Sequence, residues 1–225
     1  MTTLLAGTSY LHGAAAAETF RLWADLALKL NPGTDILVVD SASPSDVPYY
    51  PPPMHYLQLG DNIGHLARGG RDGWGRAFAS LVGYAIEREY EWVASIECDV
   101  LFAHPVESVF EKMRRSGVKC CAPMASPYQF TETACSFWNV AYLKESKLVE
   151  RYDWETSLPI GLLPEQRIDS LCAADMFALP LRGLQNDFRY DPNQLQRMFP
   201  YGIDWIHHSD LGGLRWFLEV NGHHV

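Results

Sequence analysis

NIGHLARGGRDGWGRAFASLVGYAIEREYEWVASIECDVLF, residues 62–102, is the stretch that decides how this chain folds. Phe78, Leu81, Val82, Ala85 and Ile86 recur at intervals of three and four, which stacks them on one face of a helix. Trp92 to Ile96 follows as a short apolar run, read as a buried strand, and Glu97-Cys98-Asp99 stands directly after it. A helix that feeds a strand apolar on both faces is the unit of an α/β fold, where ligands bind beyond the carboxyl ends of the strands. Two carboxylates in that place suit a hard divalent cation that also grips a diphosphate, although solvated acids at a strand end have the same spacing.

Upstream, Leu4 to Ala6 is a short apolar run and Gly7-Thr8-Ser9 a loop. Phe20, Trp23, Ala27 and Leu30 then mark a helix that Asn31-Pro32-Gly33 stops. Ile36 to Val39 forms a second buried strand ending at Asp40, which completes strand, helix, strand within 40 residues. Ser41 to Pro53 holds five prolines and reads as a long loop before a strand over Met54 to Leu59. Downstream, the pattern predicts a helix over Val106 to Arg115 and strands over Val118 to Ala122 and Ala134 to Leu143. Helices are predicted over Lys147 to Glu155 and Glu165 to Ala178. With no repeat, low-complexity tract or linker, the expectation is one α/β domain over residues 1–225, a mixed, mainly parallel sheet flanked by helices.

The 225 residues suffice for a domain that buries roughly 70% of its unfolded surface, so no disulfide or metal is needed merely to fold. Eighteen Lys and Arg against 27 Asp and Glu leave a net charge of −9, which repels a polyanionic backbone and argues against general nucleic-acid binding. A small anion held by local Arg, amides or a metal stays compatible with that charge. Five cysteines, an odd number without a CxxC, fit neither a disulfide framework nor a structural zinc site, so a reducing, cytoplasmic setting is expected. The opening MTTLLAGTSYLHGAAAAE has no basic residue before its apolar stretch and reads poorly as a signal peptide. No segment approaches the ~20 apolar residues of a membrane span.

In the order of its opening strand, helix and strand, its Asn62-x-Gly64 segment with Arg and Gly, and its acidic triplet, the chain resembles the nucleotide-sugar-dependent glycosyltransferases of the GT-A fold. The resemblance covers roughly residues 2–145. It implies transfer of a sugar from a nucleoside-diphosphate sugar to a glycan or other hydroxyl acceptor, as in polysaccharide synthesis, with Mn or Mg as cofactor. The nucleotide-binding part would be about 1–105 and the acceptor side about 106–225. Here ECD replaces the family's DxD, which makes Asp99 the implied metal ligand and leaves Glu97 beside the nucleotide. Thr8 and Asp40 would line the nucleotide pocket, Asp40 having turn capping as its other reading.

Within the glycine-rich segment, Asn62 and Arg68 match family positions for the nucleotide. Arg68, Arg71 and Arg76 lie among five glycines between Gly64 and Gly75, which allow close backbone approach to phosphates. The same arginines could instead pair with Asp61 and Asp72. Late in the chain, Asp204-Trp205-Ile206-His207-His208 offers an imidazole as a further metal ligand. Strand alternation would send the two rings to opposite faces, and His208 is the one expected at the site. For the base that activates the acceptor, Glu165, Asp169 and Asp175 are the candidates, Glu165 at a helix start being preferred with Asp169 behind it. Trp138 and Asn139 would meet the donor sugar by stacking and hydrogen bonding, Trp138 having a core role as its alternative. A sugar nucleotidyltransferase lacks its glycine-rich, Lys-containing loop here, and the absence of GxxxxGK[ST] leaves P-loop chemistry without support. A catalytically silent nucleotide-sugar-binding protein is the rival from another class.

Overall fold

Period-2 alternation in the first two strands sends side chains to two different cores. In β1 (Thr3–Ser9), Leu5 packs into one core while Leu4 and Ala6 enter the other. In β2 (Asp35–Asp40), Ile36 and Val38 face the first core and Leu37 and Val39 the second. A sheet apolar on both faces needs helices on both, and α1 (Ala14–Leu30) covers the first face with Phe20, Leu22, Trp23 and Leu26. The computed structural model describes residues 2–44, 53–64, 70–124, 130–155, 163–172, 174–185 and 190–224.

The remaining elements are β3 (His55–Gln58), α2 (Gly73–Glu87), β4 (Trp92–Ile96), β5 (Leu101–Phe102), α3 (Val106–Ser116), β6 (Cys120–Pro123) and β7 (Cys135–Asn139). They are followed by α4 (Val140–Glu145), α5 (Leu148–Tyr152), α6 (Pro164–Cys172), β8 (Met176–Leu179), β9 (Gly183–Gln185), α7 (Pro192–Met198), β10 (Trp205–His207) and α8 (Leu211–Val220). Seven strands form one sheet in the order β3-β2-β1-β4-β7-β6-β8. Only β7 runs antiparallel to its neighbours there, with Ile96 opposite Cys135 and Trp92 opposite Asn139. The expected mixed, mainly parallel sheet is therefore present. α1, α3 and α8 fill the core on one face, and α2, α4, α5 and α6 the other.

A second, three-stranded sheet, β5-β10-β9, sits beyond the end of β4. β10 pairs antiparallel with β5, Ile206 opposite Leu101, and parallel with β9, His207 opposite Gln185. The Trp205 indole packs against Gly183, and a Cβ at that glycine would meet the ring at 2.0 Å. Gly183→Ala should therefore push Trp205 off β9. An overpacking cost of about 1–3 kcal/mol corresponds to a drop in Tm of roughly 2–12 °C for a domain of this size, readable by calorimetry.

Several predicted elements end early, and the helix expected over Lys147 to Glu155 stops at Tyr152. The strand expected over Ala134 to Leu143 stops at Asn139, whose side-chain oxygen accepts the Tyr142 N–H at 3.0 Å and starts α4. The helix expected over Glu165 to Ala178 stops at Cys172, and Met176 to Leu179 becomes an edge strand with Phe177 half exposed. No helix among the described residues is long and apolar enough to cross a membrane.

Candidate active site

The acidic triplet is tied down by backbone on both sides. The Glu97 N–H donates to the Ala134 carbonyl at 2.9 Å, the Cys98 N–H to the Thr8 carbonyl at 3.1 Å, and the Val100 N–H closes the turn on the Glu97 carbonyl at 2.9 Å. The chain then enters β5, and because Leu101 lies opposite Ile206, Asp99 meets the residues that follow Ile206 in β10. His207 Nε2 is 3.5 Å from Asp99 Oδ1, and His208 Nδ1 is 4.0 Å from Asp99 Oδ2. The two imidazoles stack with centroids 3.7 Å apart, and one ligand atom from each of Asp99, His207 and His208 lies within 4.8 Å of the others.

Strand alternation would have separated the two rings, and it does not apply, because β10 ends at His207. His208 has φ +52°, a left-handed backbone that folds its ring back onto its neighbour. His207, which the alternation argument set aside, thus stands at the site together with His208. It is 3% exposed, and neither of its ring nitrogens makes an aligned hydrogen bond among the described residues. Leaving two ring nitrogens so enclosed and unsatisfied is costly unless charge or a ligand compensates.

Across the ring from Asp99 lies Glu132, with Oε2 3.4 Å from His207 Nδ1. Glu132 is completely buried, accepts the Ala134 N–H at 3.2 Å and accepts from Gln185 Nε2 at 2.5 Å. Burial pushes the Glu132 carboxyl up, but the facing His207 prevails and holds it below its ordinary value. Desolvation likewise opposes the charge on Asp99, and the His207 ring outweighs it to hold the acid low. Burial disfavours a charged His207, yet Asp99 and Glu132 together hold its pKa well above the usual imidazole range. Glu97, outside the three-residue cluster, is pushed up to about 8, first by burial and then by the charge of Asp99.

Glu165, in the first turn of α6, is raised by burial and by Glu132, while His207 acts in the opposite direction, so it lies within the field of this group. Its Oε2 is buried without a hydrogen-bond partner among the described residues. Asp169, one turn along, accepts the Thr131 N–H at 3.1 Å and the Thr131 hydroxyl, which fastens α6 to the segment that carries Glu132. Each of its oxygens accepts one of these bonds, so its carboxylate contributes to the geometry of the site.

Several expected ligand contacts lie elsewhere. Asp40 has no exposure and its carboxylate accepts the Ser43 N–H at 2.8 Å and the Ser43, Ser9 and Tyr56 hydroxyls. So enclosed an acid shapes the turn after β2, in keeping with the capping reading. Thr8 is half-buried and its carbonyl pins Cys98. Asn62 is exposed and its side chain accepts the Gly64 N–H at 2.8 Å. Arg76 pairs with Asp61 at 2.5 Å, and Asp72 caps α2. Arg68 lies outside the described residues.

Trp138 is a correction. It is wholly buried against Phe78, with its indole N–H donated to Ser136 at 2.8 Å, so it is core and touches no sugar. Asn139 is corrected with it: the residue caps α4 opposite Trp92, at the start of β4, four residues or roughly 13 Å from the acidic end. Because β7 runs antiparallel, it is the segment before it, Thr131 to Ala134, that reaches the site. Trp138→Ala should cost about 3–5 kcal/mol and roughly 6–20 °C in Tm by losing core volume. A normal Tm combined with weakened sugar binding would return Trp138 to the ligand.

By sequence, no protein-family model and no curated protein matches the chain. Solved structures do match it. A WbbM bifunctional glycosyltransferase superposes with a TM-score of 0.60 at 10% identity, over 98% of this chain and 49% of that one. TarS from S. aureus gives 0.52 at 11% identity, over 80% of this chain and 35% of that one. A protein described as a nucleotide-diphospho-sugar transferase, from Desulfovibrio desulfuricans, gives 0.51 at 11% identity over 80% of both chains. The chain thus spans about a third of TarS and about half of WbbM, and at these identities the likeness establishes the fold, which is GT-A-like.

Proposed function

We propose that the chain is a metal-dependent glycosyltransferase that moves a sugar from a nucleoside-diphosphate sugar to an acceptor hydroxyl. The observation that carries this reading is the convergence of Asp99, His207 and His208 at the carboxyl end of β4 in a GT-A-like fold. One carboxylate and two imidazoles form a mixed oxygen and nitrogen donor set, which suits Mn better than Mg. The enclosed Nε2 of His207, beside Asp99 and short of an aligned partner among the described residues, fits such an ion. A divalent cation there would supply Lewis-acid neutralisation of the leaving diphosphate, which an acidic chain of net charge −9 otherwise lacks.

The protein's own groups divide the remaining work. Asp99, 46% exposed in its side chain, stands at the open edge where a diphosphate would arrive. Glu165 is only half-buried as a residue, and burial raises its carboxyl, as suits a base that takes the proton of an acceptor hydroxyl. The tethers from Thr8 and Ala134 keep the triplet in place, so little reorganisation accompanies charge development. Membership of glycan or polysaccharide synthesis, a hexose as the transferred sugar and a cytoplasmic setting are parts of the same proposal.

The test is a thermal-shift panel of UDP, GDP and their sugars, with and without Mn, followed by assays for transfer and donor hydrolysis. A ligand at 100 times its Kd stabilises by about 2.7 kcal/mol, enough to read. Stabilisation that needs both nucleotide and metal supports the reading. Binding without turnover under any acceptor would favour the silent binding protein, and no stabilisation by any donor would remove the reading.

A further inference from the structure

Glu132 is an acid without access to solvent, yet it is not one of the three clustered ligand groups. Being enclosed, it cannot reach an acceptor hydroxyl, so it is not the base. A carboxylate so far from water is costly unless charge and donors compensate, and here the compensation is specific. Oε1 takes the Ala134 N–H at 3.2 Å, while Oε2 takes Gln185 Nε2 at 2.5 Å and lies 3.4 Å from His207 Nδ1. The opposite nitrogen of the same ring, Nε2, lies 3.5 Å from Asp99. Gln185 and His207 are register partners in β9 and β10, so adjacent strands deliver the amide and the imidazole to one carboxylate.

We propose that Glu132, braced by Gln185, is a positioning residue that holds His207 through Nδ1 and presents Nε2 beside Asp99 to a divalent cation. The proposal rests on the metal-binding reading above. A carboxylate on the far nitrogen of a ligating imidazole sets which nitrogen carries the proton and which way the ring faces. Losing such a partner typically costs roughly 10–100-fold in metal affinity.

The experiment titrates Mn²⁺ alone into the full chain, following free Mn²⁺ by electron paramagnetic resonance. The variants are Glu132→Gln, Gln185→Met, His207→Ala and the double variant Glu132→Gln/His207→Ala. Glu132→Gln keeps the side-chain volume and removes the charge facing Nδ1, and it should weaken Mn²⁺ by roughly 10–100-fold. Gln185→Met should shift affinity in the same direction with His207 intact. In the His207→Ala background, Glu132→Gln should have no further effect, because its action passes through that ring, whereas general damage to the fold would add.

Wild-type Mn²⁺ affinity in Glu132→Gln, or an additive loss in the double variant, overturns the proposal while leaving the metal site standing. A wild-type chain that binds no Mn²⁺ overturns both. If Glu132→Gln proves unfolded by circular dichroism, Gln185→Met decides: unchanged affinity overturns the proposal, and weakened affinity at unchanged Tm upholds it.

Discussion

Asp99→Asn is expected to abolish cation-dependent nucleotide binding and to cut sugar transfer by at least about 10²–10³-fold, the scale of losing one preorganised electrostatic partner. The carboxylate is central to the cluster: both imidazoles approach it, and His207 holds it ionised against the opposing pull of burial. An amide keeps the shape and loses the charge that a divalent ion needs. UDP and GDP affinity measured with and without Mn²⁺ checks the prediction, and equal affinity for wild type and variant would remove the metal role from Asp99. His207→Ala and His208→Ala should each weaken Mn²⁺ binding, since both rings stand at Asp99. Loss in only one would mean that the other ring is a stacking partner alone.

Glu165→Gln should lower transfer by about 10²–10⁴-fold while donor and Mn²⁺ affinity survive, because it removes a proton acceptor and little volume. Asp169→Asn should behave differently. Its oxygens are committed to Thr131, so the change should loosen the Thr131 segment and lower Tm while leaving a measurable rate. The comparison needs one donor, an acceptor panel and single-turnover conditions, so that chemistry is read apart from release. A wild-type rate in Glu165→Gln takes that residue out of the mechanism, and a collapse confined to Asp169→Asn moves the base one helical turn along α6.

Much of the scaffold was legible in the chain. The 3.6-residue period of Phe78 to Ile86 and the apolar run Trp92 to Ile96 mark α2 and β4 because their burial pattern is local. The same holds for α1, β2 and α3. Where two elements meet without a breaker, local pattern fails: Val140 continues the apolar run of β7, and only the Asn139 cap ends the strand. Residues 176–179 read as the end of a helix because an edge strand, half exposed and short, carries no clean alternation.

At the site, the sequence by itself determined the acidic triplet after a buried strand, the late pair of histidines and an acid at a helix start. These are signals of residue type and of position within a single element. Tertiary structure decided which of them meet. The antiparallel direction of β7 turned attention from Trp138 and Asn139 to Glu132, because reversing a strand exchanges the end that faces the ligand. The pairing of β5 with β10 brought His207 to Asp99 across more than a hundred residues, and the left-handed backbone of His208 placed both rings where alternation allowed one. Asp40 was placed at a strand end by sequence, but the hydroxyls of Ser9, Ser43 and Tyr56 that saturate it come from three separate segments. Periodicity reports which face of an element is buried; strand direction, register and the partners of a buried charge are relations between distant segments, and no local pattern encodes them.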